Sequence, residues 1–158
     1  MKTVLILSFL IVASVLLLFI LGVSSRSGKS SGLVAGRLAK CPATPNCVCS
    51  EPGEEGGHFI DPILLPHDIT LDPLPILKKV VQEMGGTVEV ESAHYFTAVF
   101  SSAIFGFRDD LEVKVDLPQQ VVHLRSASRV GYGDAGVNRK RIELLKKLYR
   151  QKLAEVKP

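Results

Sequence analysis

Twenty residues, Val4 to Val23, run without a charge, and no other stretch constrains the fold as strongly. At about 1.5 Å per residue a helix over this run is roughly 30 Å long, the thickness of a bilayer's hydrocarbon core. A cleaved secretory signal shares the basic start at Lys2, and Val23, Ser24 and Ser25 could pass as its cleavage site, yet such signals usually have apolar cores of about 7 to 15 residues. The length predicts an uncleaved single-pass signal anchor over residues 1–23. No cysteine follows the run closely, which speaks against a lipid-modified N-terminus. Two signals compete over orientation. Arg26, Lys29, Arg37 and Lys40 outnumber Lys2 and the amino terminus, which favours a cytoplasmic domain. The short Met-Lys tail is that of an ordinary signal anchor, and the expectation is an extracytoplasmic domain.

The chain of 158 residues leaves room for one domain beyond the anchor. Residues 24–40, rich in Ser and Gly, read as a flexible linker, and residues 41–158 as a single α+β domain. Net charge is +3 with 22% charged residues, too balanced for a nucleic-acid binder, which is usually more basic and carries aromatic side chains on its basic face. No cofactor motif is legible.

Cys41-Pro-Ala-Thr-Pro-Asn-Cys47-Val-Cys49-Ser reads as a compact loop stiffened by Pro42 and Pro45. Cys41 and Cys47 are the natural disulfide pair in an oxidising compartment, because Cys47 and Cys49 are too close for an easy bridge. A zinc site with His58 as fourth ligand fits poorly, since only one cysteine cluster exists; no metal site is expected. Residues 51–72 read as an irregular wrap pinned by Ile60, Ile63, Leu64 and Leu65. Asp72 then caps a helix that begins at Pro73, buries Leu74, Leu77, Val80, Val81 and Met84, and stops at Gly85-Gly86.

Four alternating stretches follow. Thr87 to Glu91 and His94 to Ser101 form a hairpin, with Phe96, Ala98 and Phe100 on one side. In the next strand Leu111, Val113, Val115 and Leu117 share a face, and Glu112, Lys114 and Asp116 share the other. If Leu117 pairs with Gln120 across the Pro118-Gln119 turn, Val115 meets Val122, Val113 meets Leu124 and Glu112 meets Arg125. A slip of one residue would destroy the apolar matching. Glu112 and Arg125 are therefore expected as a cross-strand ion pair on the face away from the apolar layer, beside Lys114 and His123. A last helix, capped by Asn138 and running to about Val156, buries Ile142, Leu145, Tyr149, Leu153 and Val156. The expected domain is α+β: a mostly antiparallel four-stranded meander with both helices on one face.

Between the last strand and the last helix lies Arg125 to Arg141, with four arginines, one lysine and Asp134 as its only acid. Arg139, Lys140 and Arg141 sit in the first helical turn, whose positive partial charge prefers acids. Either Asp109 and Asp110 on the neighbouring strand neutralise them as structural ion pairs, or an anion binds there through Arg129, Arg139, Arg141, Gly131, Gly133 and Asn138. The glycine spacing excludes a phosphate-loop fingerprint. The preferred reading is a membrane-tethered binding module for an anionic small molecule, lipid headgroup or protein partner. The alternatives are a hydrolase-like enzyme built on Asp109, Asp110, Glu112 and His123, by acid/base or metal-assisted chemistry, and a purely structural envelope protein.

Three blocks in this order, CPATPNCVCS, SAIFGFRDDLE and RSASRVGYGDAGVNRKRIE, resemble the family called domain of unknown function 1499, over about Cys41 to Leu148. The resemblance implies a small domain, often membrane-tethered or exported in bacteria, without an established activity, and carries over no catalytic residues. The family's first block more often ends Val-Ser-Ser, where this chain has Val48, Cys49 and Ser50.

Overall fold

Strands β5 (Thr87–Ser92), β6 (Tyr95–Ser101), β7 (Arg108–Asp116) and β8 (Val121–Ser128) form a consecutive antiparallel meander in the computed structural model, which describes residues 1–66 and 72–156. The register of β7 against β8 places Val115 opposite Val122, Val113 opposite Leu124 and Glu112 opposite Arg125. Strand β7 ends one residue earlier than its alternation suggests. Leu117 turns into the connection, where it is exposed.

The sheet has six strands, not the four expected, because two stretches read as loop and wrap both pair with β8. Strand β3 (Cys47–Cys49) pairs with its end and β4 (Ile63–Leu64) with its start. Neither is long enough to show a two-residue period in sequence; each is held by pairing with a strand far along the chain. Ile60 and Ile63 are buried and Leu65 packs on the core, whereas Leu64 points to solvent. The rest of this wrap, residues 67–71, lies outside the described residues.

Helix α2 (Pro73–Glu83) opens with Asp72 accepting from the Leu74 amide at 3.0 Å and Pro73 in the first turn, where its missing N–H costs nothing. Leu74, Leu77, Val80 and Val81 are buried and Met84 packs beside them. Helix α3 (Val137–Val156) buries Ile142, Leu145 and Tyr149, with Leu153 partly covered; the Val156 side chain lies outside the described set. Both helices share one core with Phe96, Ala98, Leu111, Val113, Val115, Val122 and Leu124, so both cover the same face of the sheet.

Helix α1 (Lys2–Ser24) carries no charge after Lys2 and is long and apolar enough to cross a membrane. The segment after it, expected to be a flexible tether, instead lies against the domain. It forms a small hairpin, β1 (Leu33–Val34) with β2 (Arg37–Leu38), and Leu38 is buried beside Cys49 and Tyr95. Two buried carboxylates hold it: the Gly32 amide donates to Glu112 and the Leu38 amide to Glu51. A Ser/Gly composition suggests freedom, but small side chains also let a backbone approach such acceptors closely.

Candidate anion-binding site

Alternation along the strands sends their second set of side chains to the face opposite the helices. Asp110, Glu112 and Lys114 from β7, His123 and Arg125 from β8, Cys49 from β3 and Tyr95 from β6 make this face polar, and residues 28–41 cover it. Glu112 is fully buried at its centre. One carboxylate oxygen accepts from Arg125 Nη1 at 2.7 Å; the other accepts from the Tyr95 hydroxyl and the Gly32 amide, both at 2.8 Å. Burial, followed by the adjoining Glu112 charge, raises the Tyr95 pKa, so its hydroxyl stays a donor.

One step nearer the end of the sheet, Arg129 forks onto Asp110, with Nε 3.0 Å from Oδ2 and Nη2 2.7 Å from Oδ1, and Glu89 lies 3.5 Å away. Hydrogen bonding to Asp110 is the main cause that holds the Arg129 guanidinium above its ordinary pKa. Gly28 passes directly over this side chain: a Cβ there would come 3.0 Å from Arg129 Cδ, which explains a glycine at that point.

Between cover and sheet lies a cavity of about 380 Å³ lined by Lys29, Lys40, Asp110, Arg125 and Arg129, with Ser31, Ser128, Cys41 and Pro42 around them. Its cations outnumber its single lining acid. Arg125 and Arg129 have internal carboxylate partners, but Lys29 and Lys40 have no salt bridge among the described residues. Arg125 Nε is buried without a hydrogen-bond partner.

The basic loop is organised differently. Arg141 bonds Asp109 at 2.6 Å and Ser126 Oγ at 3.0 Å, touches Asn138 Oδ1, and stacks over the Phe100 ring. Arg139 spans to the carbonyls of Gly57 and Phe59 at 2.8 and 2.7 Å. Asn138 is the second residue of α3, not its cap. Its buried side chain donates to the Asn46 carbonyl and to Ser128 Oγ, while Asp134 takes the capping role by accepting from the Gly136 and Asn138 amides. Gly131, at φ +91, presents its carbonyl to Asn46 Nδ2 at 2.7 Å, and Gly133 is exposed with open space around it. The first and third sequence blocks are thus tied together through Asn46. Of the loop's proposed ligand contacts, Arg129 alone lines the cavity.

The acid and histidine set does not converge. Asp109 and Asp110 project to opposite faces and bind Arg141 and Arg129, and His123 is buried with its Nδ1 donating to the Ser50 carbonyl at 3.2 Å. Cys41 and Cys47 are joined by a disulfide, and His58 Nδ1 donates to the Cys47 carbonyl at 3.0 Å. No group of three or more metal-ligating side chains gathers among the described residues. Cys49 is a fully buried free thiol whose pKa burial pushes up to about 11.

Glu51, read in sequence only as the start of a wrap, is a second buried anchor for the cover. Burial would raise its pKa, but the Leu38 amide, Arg37 and neighbouring positive charge outweigh that and hold the carboxyl below its ordinary value. In the sequence Lys29 and Lys40 are marked only as charges flanking an anchor. Their common position follows from the cover folding back over the sheet, which no local pattern encodes.

No curated protein and no solved structure matches the chain. The family described as protein of unknown function, DUF1499, matches residues 37–148 of the 158, a span from the cover's second strand into α3. The chain belongs to the DUF1499 family.

Proposed function

We propose that this is a membrane-tethered binding domain whose ligand is a small anion, such as a phosphate or carboxylate group, held in the cavity under residues 28–41. The observation that carries the reading is the imbalance inside that cavity: Lys29, Lys40, Arg125 and Arg129 against Asp110, with both lysines unpaired among the described residues and Arg125 Nε buried without a partner. A guanidinium held rigid by a buried acid still has donors to offer, and two exposed lysines at the rim complete a site for an anion. This moves the ligand from the Gly/Arg loop itself to the space beside it.

In this reading α1 is a single-pass signal anchor and the domain is exported. The disulfide between Cys41 and Cys47 supports an oxidising compartment against the count of positive charges after the span. The purely structural reading draws support from the internal partners of Arg129, Arg139 and Arg141, but it calls for no cleft beside the arginines, and one opens beside Arg125 and Arg129.

Thermal unfolding of the full chain in non-ionic detergent, titrated with inorganic phosphate, pyrophosphate and citrate, tests the site. Saturable stabilisation by at least one anion is expected, amounting to about 2.7 kcal/mol at one hundred times its dissociation constant. Lys29→Ala with Lys40→Ala should abolish it without lowering the melting temperature of the unliganded protein, because neither lysine has a partner to lose. No shift with any anion in the series overturns the proposal.

A further inference from the structure

The connection between β6 and β7 is more apolar than a surface turn needs to be. Ile104 is 76% exposed at its tip, with Phe105 and Phe107 beside it. This loop is also where α1 meets the domain. Phe105 packs edge-on against Phe19 with ring centroids 5.2 Å apart, and Phe107 follows at 5.9 Å from Phe105. Gly22 lies so close to the loop that a Cβ there would fall 1.9 Å from the Phe105 carbonyl oxygen. The contact continues past the helix: Ser25 Oγ accepts from the Arg108 amide at 3.1 Å, and the Arg26 guanidinium lies over Gly106.

We propose that residues 102–107 dip into the same leaflet that α1 leaves, as a second and shallower membrane contact which fixes how the domain stands on the bilayer. The proposal rests on the reading of α1 as a membrane anchor. Depth follows from helix geometry. Phe19 lies four residues inside the end of the apolar run at Val23, or about 6 Å below it, and a ring packed on Phe19 shares that depth. Roughly 5 to 10 Å is the depth at which interfacial apolar side chains settle.

Part of the loop's backbone suits this environment. The Ser102 amide donates to the Phe107 carbonyl, the Gly106 amide to the Ser102 carbonyl, and the Phe107 amide to Ser102 Oγ. These bonds satisfy the Ser102, Gly106 and Phe107 amides inside the turn, which lowers the cost of a low-dielectric setting. Arg26 beside Gly106 marks the level at which charge returns, where a long cationic side chain reaches lipid phosphates.

The chain has no tryptophan, so one introduced indole reports alone. Full-length I104W and L64W are reconstituted into phosphatidylcholine vesicles, floated, and scanned with lipids brominated at successive depths. Leu64 is equally exposed but pairs with the start of β8, at the far end of a sheet whose nine-residue strand β7 extends about 30 Å. I104W should show blue-shifted emission and lose intensity most with bromines near the headgroups, while L64W emits as in water and is not quenched. Failure of both variants to float overturns the anchor reading itself. Flotation with water-like, unquenched I104W emission overturns the loop proposal alone. Blue-shifted but unquenched I104W also overturns it, and assigns the loop to a contact with a second copy.

Discussion

Strand β7 carries two different kinds of packing within nine residues. Its Leu111, Val113 and Val115 meet the two helices in a continuous apolar core, whereas its Asp110 and Glu112 meet arginines beneath a strap of chain. Both faces are buried, but they are held by opposite rules. The apolar face gains from each buried carbon and tolerates any neighbour of suitable shape. On the polar face each charge costs free energy to bury, and stability depends on every partner being present.

The largest effect should therefore come from removing one half of the central pair. Glu112→Leu leaves Arg125 charged and unpaired and also strands the Tyr95 hydroxyl and the Gly32 amide, so a loss of about 3 to 5 kcal/mol is expected in denaturant unfolding. Adding Arg125→Met should restore part of that loss, because the unpaired charge then departs while the Tyr95 hydroxyl and the Gly32 amide stay without their acceptor. A double variant as unstable as the single one would show that the face is not held by pairing. Phe96→Ala, on the other side of the same sheet, should also cost about 3 to 5 kcal/mol. No partner substitution should rescue that cavity, and this difference in rescue separates the two faces more sharply than the size of either loss.

The polar face has a covalent rim that the apolar face lacks. Cys41 ends the cover and Cys47 begins β3, and their disulfide closes a loop with a sequence separation of 6. So short a loop gives about 2 to 3 kcal/mol by chain entropy. Reduction should thus lower stability by that amount and expose Cys49 to alkylation faster than in the oxidised protein, since the cover packs on that thiol. Unchanged Cys49 reactivity after reduction would mean that the cover holds without its bridge.

How legible each face was follows from where its information lies in the chain. The meander, both helices and the opposition of Glu112 with Arg125 could be read because an alternation of period two, a helical stripe and one tight turn are local patterns. Strands β3 and β4 could not, being too short to show a period before β8 supplies a partner. The cover is hidden in the sequence for a related reason. Ser and Gly at 24–36 give no apolar signal, and what orders the segment is a pair of carboxylates at Glu51 and Glu112, distant in sequence. The cavity inherits that difficulty, since Lys29 and Lys40 reach Arg125 and Arg129 only when the cover closes.

Acid should discriminate between the faces. The Glu51 carboxyl is held below its ordinary value of 4.5, so its contribution is complete above that pH and is lost as pH falls through the lower folded value. Melting temperature followed from pH 6 downward should decline with Glu51 charged in the native state, and Glu51→Gln should flatten part of that decline. Phe96→Ala should shift the whole curve without changing its acid slope. An unaltered slope in Glu51→Gln would remove Glu51 from the groups that hold the cover.

The smallest effect should come from an ion pair at the surface. Lys78 on α2 contacts Glu91 on β5, but the Glu91 side chain is 56% exposed, against 0% for Glu112. Water screens the pair and solvates either member alone, so Lys78→Ala should change stability by about 0 to 1 kcal/mol. The same deletion at Arg125 strands a carboxylate with no water to receive it. If Lys78→Ala proved as costly as loss of the central pair, burial would not be what sets the strength of an ion pair in this domain. A loss of a few tenths of a kcal/mol instead ties the strength of the central pair to the complete burial of Glu112.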